Sequence, residues 1–310
     1  MGAGQVIDAR INGGTIGRWP AGATVLVTGA TGFIGGHLTK ALVEAGASVV
    51  TLADAVDERS LFVQSDLRDR TAFVQGRVDE PAVVERLFRE HRFDAVFHLA
   101  AQTIVPRSLD EPWETFESNV RGTYVLLEAV RAAGLAETCR VIVASSDKAY
   151  GSHGEDVLRE DAALRGGSPY DASKSCADLI AQSYAATYGM RAAITRCGNV
   201  YGPGDLNFSR LVPGVIRDLL HGERPVIRSD GSPVREYLYV DDAVSAYLAA
   251  ARWLGEVRIG RDSRGAGAFN FGNCERKSVL QAVDALREAL GRTDLEPRIL
   301  NEAAGEIPFQ

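Results

Sequence analysis

The chain has 310 residues, 45% of them hydrophobic and 24% charged, with a formal net charge of −7. That length suits one large α/β domain or two smaller ones, and the mix is ordinary for a soluble globular protein. The acidic balance argues against nucleic acid or an anionic membrane surface as the main partner, and no apolar run approaches the ~20 residues of a membrane span.

Residues 1–22 are Gly-rich and aperiodic, and read as a tail. The run Thr24-Val25-Leu26-Val27-Thr28 is β-branched and leads straight into Gly29-Ala30-Thr31-Gly32-Phe33-Ile34-Gly35. A helical pattern through Leu38, Leu42 and Val43 follows, then a second strand over 48–52 that ends near Asp54. This is a β-α-β unit with a glycine-rich first turn. Glycine lets the backbone approach a pyrophosphate at the helix N-terminus. Gly29, Thr31, Gly32, Phe33, Ile34 and Gly35 are therefore candidate dinucleotide contacts. Asp54 lies 25 residues after Gly29, where a carboxylate can bond ribose hydroxyls and repel a 2′-phosphate, favouring NAD over NADP.

Further on, 72–76 reads as a strand, Pro81 as a helix start, and 94–101 as a buried strand that ends in the small residues Leu99-Ala100-Ala101, suited to a cofactor lying against backbone. His98 on that strand is expected to be packed rather than catalytic. A helix is predicted over 113–133, carrying an inward Asn119 that needs partners. Next comes a strand at 141–144, followed by Ser145-Ser146-Asp147-Lys148 at its C-terminal end. Tyr170 and Lys174 fall four apart on one helix face. Strands alternating with helices predict a doubly wound parallel sheet of Rossmann type, with ligands at the C-terminal strand ends.

The second half holds smaller elements. A strand is expected over 191–196, a loop over 206–213, helices over 214–221, 241–254 and 278–290, and short strands at 225–227 and 237–239. The expected organisation is a tail (1–22), a Rossmann domain (23–200) and a smaller mixed α/β substrate lobe (201–310) interleaved with the sheet. Four cysteines without C-x-x-C spacing, and no apolar stretch of a signal peptide near the start, favour a reducing, cytoplasmic setting. No metal ion is called for. Only four lysines, Lys40, Lys148, Lys174 and Lys277, occur among 34 Lys and Arg. A lysine here points to chemistry that arginine, always protonated, cannot do.

With Gly29-x-x-Gly32-x-x-Gly35, His98-Leu99-Ala100-Ala101 and Tyr170-x-x-x-Lys174 in order, the chain resembles the extended short-chain dehydrogenase/reductase family. That resemblance runs from about Thr24 to at least Leu290. It implies a tightly held nicotinamide cofactor, a nucleotide-diphosphate-sugar substrate and a homodimer formed through two long helices. Ser146-Asp147-Lys148 is similar to the 4,6-dehydratases of CDP-glucose type, and neighbouring stretches to GDP-mannose dehydratase-like chains. The other 4,6-dehydratases of the family carry Thr-Asp-Glu there, and the 4-epimerases usually lack the acid and base after the Ser or Thr. The implied roles make Tyr170 the base for a sugar C4 hydroxyl, Lys174 the group that lowers its pKa, and Ser146 a hydrogen bonder to the same oxygen. Asp147 and Lys148 are the acid and base of water elimination, in either order. A 4-epimerase or decarboxylase is the alternative, and a non-catalytic dinucleotide binder a more distant one.

Two departures stand out. Gly76-Arg77 replaces the usual Gly-Asp, so Asp79 is the substitute for the adenine contact. The family also usually runs some tens of residues beyond Gln310, so either a truncated sequence or a shortened substrate lobe is expected. For the substrate, Arg235 is a diphosphate candidate and Asn199 a sugar or phosphate contact. Arg210 reads either as a ligand of the same group or as a surface loop residue.

Overall fold

The computed structural model describes residues 22–154, 156–257, 267–302 and 307–310; most of the expected N-terminal tail lies outside them. The elements in chain order are β1 (Thr24–Thr28), α1 (Phe33–Glu44), β2 (Ser48–Ala53), short α2 (Leu61–Gln64) and α3 (Leu67–Arg70), β3 (Ala72–Gln75), α4 (Pro81–Glu90) and β4 (Ala95–His98). Next come α5 (Val105–Asp110), α6 (Pro112–Phe116), a π-turn (Glu117–Arg121), α7 (Gly122–Ala132), β5 (Arg140–Ser146) and a 3-10 turn (Asp147–Tyr150). Then follow α8 (Pro169–Tyr188), β6 (Ala192–Cys197), β7 (Asn199–Tyr201), α9 (Leu211–Leu220), β8 (Val226–Ile227) and β9 (Val234–Tyr239). The last are α10 (Val240–Glu256), β10 (Gly267–Phe271), β11 (Arg276–Ser278), α11 (Val279–Ala289) and β12 (Arg298–Ile299).

The central sheet has seven strands in the order β10-β6-β5-β4-β1-β2-β3, all parallel. Its strands alternate between two cores, as the two-residue pleat requires. Leu26, Val141, Val143 and Ile194 face α4, α7 and α8. Val25, Val27, Ile142 and Ala193 face α1 and α10. The strand order reverses direction at β1, between β2 and β4, and the crevice outside the strand ends at that point is where such sheets bind ligands. This is the expected Rossmann-type sheet, with a smaller mixed sheet of β11, β9 and β7 beside it.

Local differences from the sequence expectations have physical causes. The 113–133 helix carries a π-turn around Asn119, an irregularity common where a side chain has special work. The helix expected at Gly214 begins earlier, at Leu211, because Pro213 falls in the first turn, where no N–H is needed. The Asn199-Val200-Tyr201 motif forms β7 and pairs with β9. Among the described residues, no helix is long and apolar enough to cross a membrane.

Two buried polar clusters lock the sheet to its helices. In the first, Arg196 on β6 pairs with Asp178 on α8 through Nε–Oδ2 at 2.7 Å and Nη2–Oδ1 at 3.1 Å, with the side chains 2% and 0% exposed. Arg196 Nη1 also donates to the Tyr150 hydroxyl and the Glu160 carbonyl, and Tyr150 donates to Asn270 Oδ1 on β10. The second cluster is centred on His98, whose Nδ1 and Nε2 meet the hydroxyls of Thr28 and Thr123. Thr123 donates to the Asn119 carbonyl, so its oxygen accepts from His98 Nε2–H; Nδ1 in turn accepts from Thr28, which takes a bond from the Ala100 N–H. Burial holds this imidazole neutral, from its usual 6.5 down to about 3, in keeping with a packed, non-catalytic histidine.

Breaking the ion pair from one side strands a buried charge. Asp178→Ala is expected to lose about 3–5 kcal/mol in urea unfolding, while Arg196→Met with Asp178→Leu recovers most of it; a single-variant loss below ~1 kcal/mol would contradict this role. For His98 the unfolded chain gains a proton near pH 6.5 and the folded one only near pH 3. Its contribution is thus complete above about 6.5 and is lost as pH falls toward 3. The stability gap between wild type and His98→Gln should narrow across that range, and a gap independent of pH would refute the assignment.

Candidate active site

A cavity of about 1310 Å³ opens at the C-terminal ends of the parallel strands, and every candidate residue from the sequence lines it. At one end lies the glycine turn. Gly29 has φ +73, and a Cβ there would collide with the Ala100 nitrogen at 2.7 Å, so only glycine lets β1 and the Leu99-Ala100-Ala101 segment close together. A Cβ on Gly35 would strike the Gly29 carbonyl. Gly32, by contrast, would meet only the Gly29 carbonyl, at 3.3 Å, so its surface is left for a ligand. Helix α1 starts at Phe33 and Ile34 with no side-chain cap and no acidic residue in its first turn. Its free N–H groups and positive end suit a pyrophosphate. Thr31 anchors the turn by donating to the Ala55 carbonyl at 2.8 Å.

Asp54 stands exposed on the cavity rim after β2. The nearby Arg59 is turned onto Asp57, donating from Nε and Nη2 to its two carboxylate oxygens. Asp79 also lines the cavity, with both oxygens held by Arg77 at 2.9 and 2.7 Å; Arg77 in turn reaches Glu114 at 2.8 Å. An adenine contact by Asp79 would therefore use lone pairs beyond those bonds. The cradle, the uncapped helix start and the rim carboxylate fit a dinucleotide without a 2′-phosphate.

At the centre, β5 delivers Ser146 to the cavity and the 3-10 turn delivers Asp147 and Lys148. Ser146 Oγ caps that turn by accepting from the Lys148 N–H at 3.2 Å and donates to Asp147 Oδ1 at 3.1 Å. Gly151 follows at φ +69, against the Arg165 carbonyl. Opposite, α8 begins with a capping box between Ser168 and Asp171, which sets Tyr170 and Lys174 in its first turns. Ser173 donates to the Tyr170 carbonyl and accepts from Asn119 Nδ2 at 2.9 Å. Asn119 also bonds Gln102 through both its amide atoms. The π-turn asparagine thus fixes α8 against the loop after β4.

The electrostatics differ from the sequence expectation in one respect. Lys174 Nζ donates to the Ala144 carbonyl at 2.8 Å, and burial brings its pKa down to about 8. Burial likewise pushes Tyr170 up to about 12; Ser146, by hydrogen bond, and Arg210, by charge, pull the other way. Desolvation outweighs attraction at both groups. Asp147 is also raised, chiefly by burial, against the pull of Lys148.

The second lobe lines the far end. Arg235 on β9 is buried and donates from Nη1 to the Val234 carbonyl at 2.8 Å. Asn199 on β7 reaches the Glu236 carbonyl at 3.4 Å. Arg210, at the start of α9, faces the cavity while holding Asp205. Sequence reasoning missed Arg228 and Arg217, which line the same end, and Gln310, which reaches Asp147 and Lys148. Arg228 follows a strand of two residues, too short to leave a pattern.

A model of the NAD dependent epimerase/dehydratase family matches residues 25–262. A dTDP-glucose 4,6-dehydratase of Xanthomonas campestris pv. campestris (strain B100) is 36% identical over 289 residues, covering 89% of this chain and 80% of the relative. The solved structure of a double mutant of DesIV, the dTDP-glucose 4,6-dehydratase of Streptomyces venezuelae, contains NAD. It superposes with a TM-score of 0.80 at 29% identity, covering 92% of this chain and 86% of that one. A UDP-glucose 4-epimerase from Thermotoga maritima, solved with UDP-glucose, also gives 0.80, at 30% identity and 93% and 88% coverage. The chain therefore belongs to the NAD dependent epimerase/dehydratase family, and NAD is its cofactor.

Proposed function

We propose that this protein is a nucleotide-sugar 4,6-dehydratase, converting a nucleotide-diphosphate hexose to its 4-keto-6-deoxy form. The observation that carries this reading is the pair Asp147 and Lys148, set in the same cavity as Ser146, Tyr170 and Lys174. When bound, NAD supplies the hydride acceptor and later returns the hydride. The protein's residues manage the protons. Tyr170 takes the proton of the C4 hydroxyl, with Ser146 bonded to the same oxygen and Lys174 steadying the cofactor ribose. A C4 ketone acidifies the C5 proton, which Lys148 takes as a neutral amine while Asp147 protonates the departing C6 oxygen. A burial-raised carboxyl suits the acid role. As the hydride comes back to C6, Lys148 gives its proton back to C5; the proton gained by Tyr170 then equals the one Asp147 gives up, and Ser146, bonded to both, is the route between them.

Arg210 and Arg235 hold the substrate diphosphate, with Asn199 beside them; Asp79 and Asp54 serve the adenosine half of NAD. The relatives' names favour dTDP-glucose, whereas Ser146-Asp147-Lys148 is similar to the CDP-glucose type, and the stretches at 173–177 and 196–199 to that type and to GDP-mannose dehydratase-like chains. A cytoplasmic setting accompanies this reading, with all four cysteines unpaired. So does a homodimer, for which α6 and α8 expose Trp113 (76%) and Leu179 (55%) beside other apolar side chains.

Incubation with dTDP-glucose, CDP-glucose, UDP-glucose and GDP-mannose tests the reaction by mass. At least one should lose a water without added reductant; loss of none, or inversion at C4 alone, overturns the proposal. Asp147→Asn and Lys148→Met should reduce water loss about 10²–10⁴-fold while hydride transfer to bound NAD, followed by absorbance, persists. In sedimentation the wild type should run as a dimer and Trp113→Asp with Leu179→Asp as a monomer, and a monomeric wild type contradicts the interface.

A further inference from the structure

Asp147 and Lys148 are joined by a third side chain from far along the sequence. Gln310 Nε2 donates to Asp147 Oδ1 at 2.9 Å, and Gln310 Oε1 accepts from Lys148 Nζ at 2.8 Å. Its backbone is fixed to β9: the Val234 N–H donates to the Pro308 carbonyl at 2.8 Å, and the Gln310 N–H donates to the Val234 carbonyl at 3.1 Å. Phe309 lies in register with Val234 as a parallel bridge.

We propose that Gln310 is a positioning residue for water elimination, a single amide that orients the carboxyl of Asp147 with one end and the amine of Lys148 with the other. This inference rests on the reading of Asp147 and Lys148 as the elimination pair. An amide has distinct ends, a donor and an acceptor, and here each partner meets a different one. Ser146 Oγ donates to the same Asp147 oxygen at 3.1 Å. With both side-chain donors on Oδ1, the acid proton belongs on Oδ2, the oxygen beside Gly198, where a Cβ would stand 3.8 Å away. On the other side, engaging one N–H of Lys148 fixes the rotation of the amine and so the direction of its lone pair.

The elimination balances on these atoms. Lys148 Nζ takes the C5 proton, the C–H electron pair becomes the C5=C6 bond, and the C6–O bond breaks. Asp147 Oδ2–H supplies the proton that lets the oxygen leave as water. Gln310 exchanges nothing and keeps both groups in line, and misalignment of reacting groups by about 1 Å can cost 10²-fold. The titratable groups facing Asp147 are Lys148 in its own turn, Tyr170 from α8, Cys197 from β6 and Glu236 from β9, with Arg276 behind the last.

The experiment measures, for each variant, the ratio of water lost to hydride transferred, with the nucleotide sugar that wild type turns over. Because it is a ratio, a fraction of misfolded protein does not alter it. Gln310→Ala should lower it about 10²-fold. Gln310→Glu keeps an acceptor for Lys148 but donates to Asp147 only when protonated, so its ratio should recover as pH falls, a recovery absent from Gln310→Ala. Wild-type ratios with an unshifted pH profile in both variants overturn the proposal while leaving the dehydratase reading intact. A wild type that releases no water from any of the four sugars overturns that reading and this proposal with it.

Discussion

The site depends on a turn with almost no regular structure of its own. The four residues of Asp147–Tyr150 form one 3-10 turn between β5 and a long loop. What keeps them in place is the buried Arg196–Asp178 pair, which clamps Tyr150 against β6, α8 and β10 at once. The Arg196 guanidinium also lies over the Tyr150 ring at 4.8 Å, adding a cation–π contact. A buried ion pair is weak evidence of net stability, because desolvation offsets most of its attraction. Its value here is directional: five donors in a fixed fork select one arrangement of three segments. Rigidity at the turn is inherited from a pair that touches no reacting atom.

Desolvation governs the cavity's chemistry as well. Without a ligand, Tyr170 holds its proton and Lys174 is brought close to neutral pH. The simple picture of an ammonium stabilising a phenolate therefore does not describe the protein alone. Lys174 spends its hydrogen bond on the end of β5, and Arg210 is the cation that acts on Tyr170. Activation of the tyrosine must come with the charge brought by a bound cofactor. Until then Tyr170 rests in its neutral, less costly form.

The fold was legible where a segment's own pattern determines its structure. The glycine turn and the apolar strands alternating with helices are local signals, and the parallel sheet follows from their order. Strands such as β7, β11 and β12 are two or three residues long and exist only through their partners, so no periodicity marks them. The π-turn at Asn119 answers to Gln102 and Ser173, which are 17 and 54 residues away in sequence. The candidate site was legible in its residue types, since each line of the cavity carries the side chains its motif announced. Gln310 escaped because its contacts span 162 and 163 residues and belong to no motif.

The distribution of cations completes the argument. Around the end of the cavity lined by β8, β9 and α9 the chain places Arg210, Arg217, Arg228 and Arg235, groups that stay charged whatever surrounds them and that suit a diphosphate. Only at Lys148 and Lys174 does it use lysine in this cavity, although it has four lysines in all. Burial moves Lys174 to about 8, a value at which an amine can exchange its proton near neutrality. Arginine at either position would keep the charge and lose that exchange. In the proposed reaction the two lysines stand beside the reacting atoms, where a charge that can change is useful, and the arginines stand where a fixed charge suits a diphosphate.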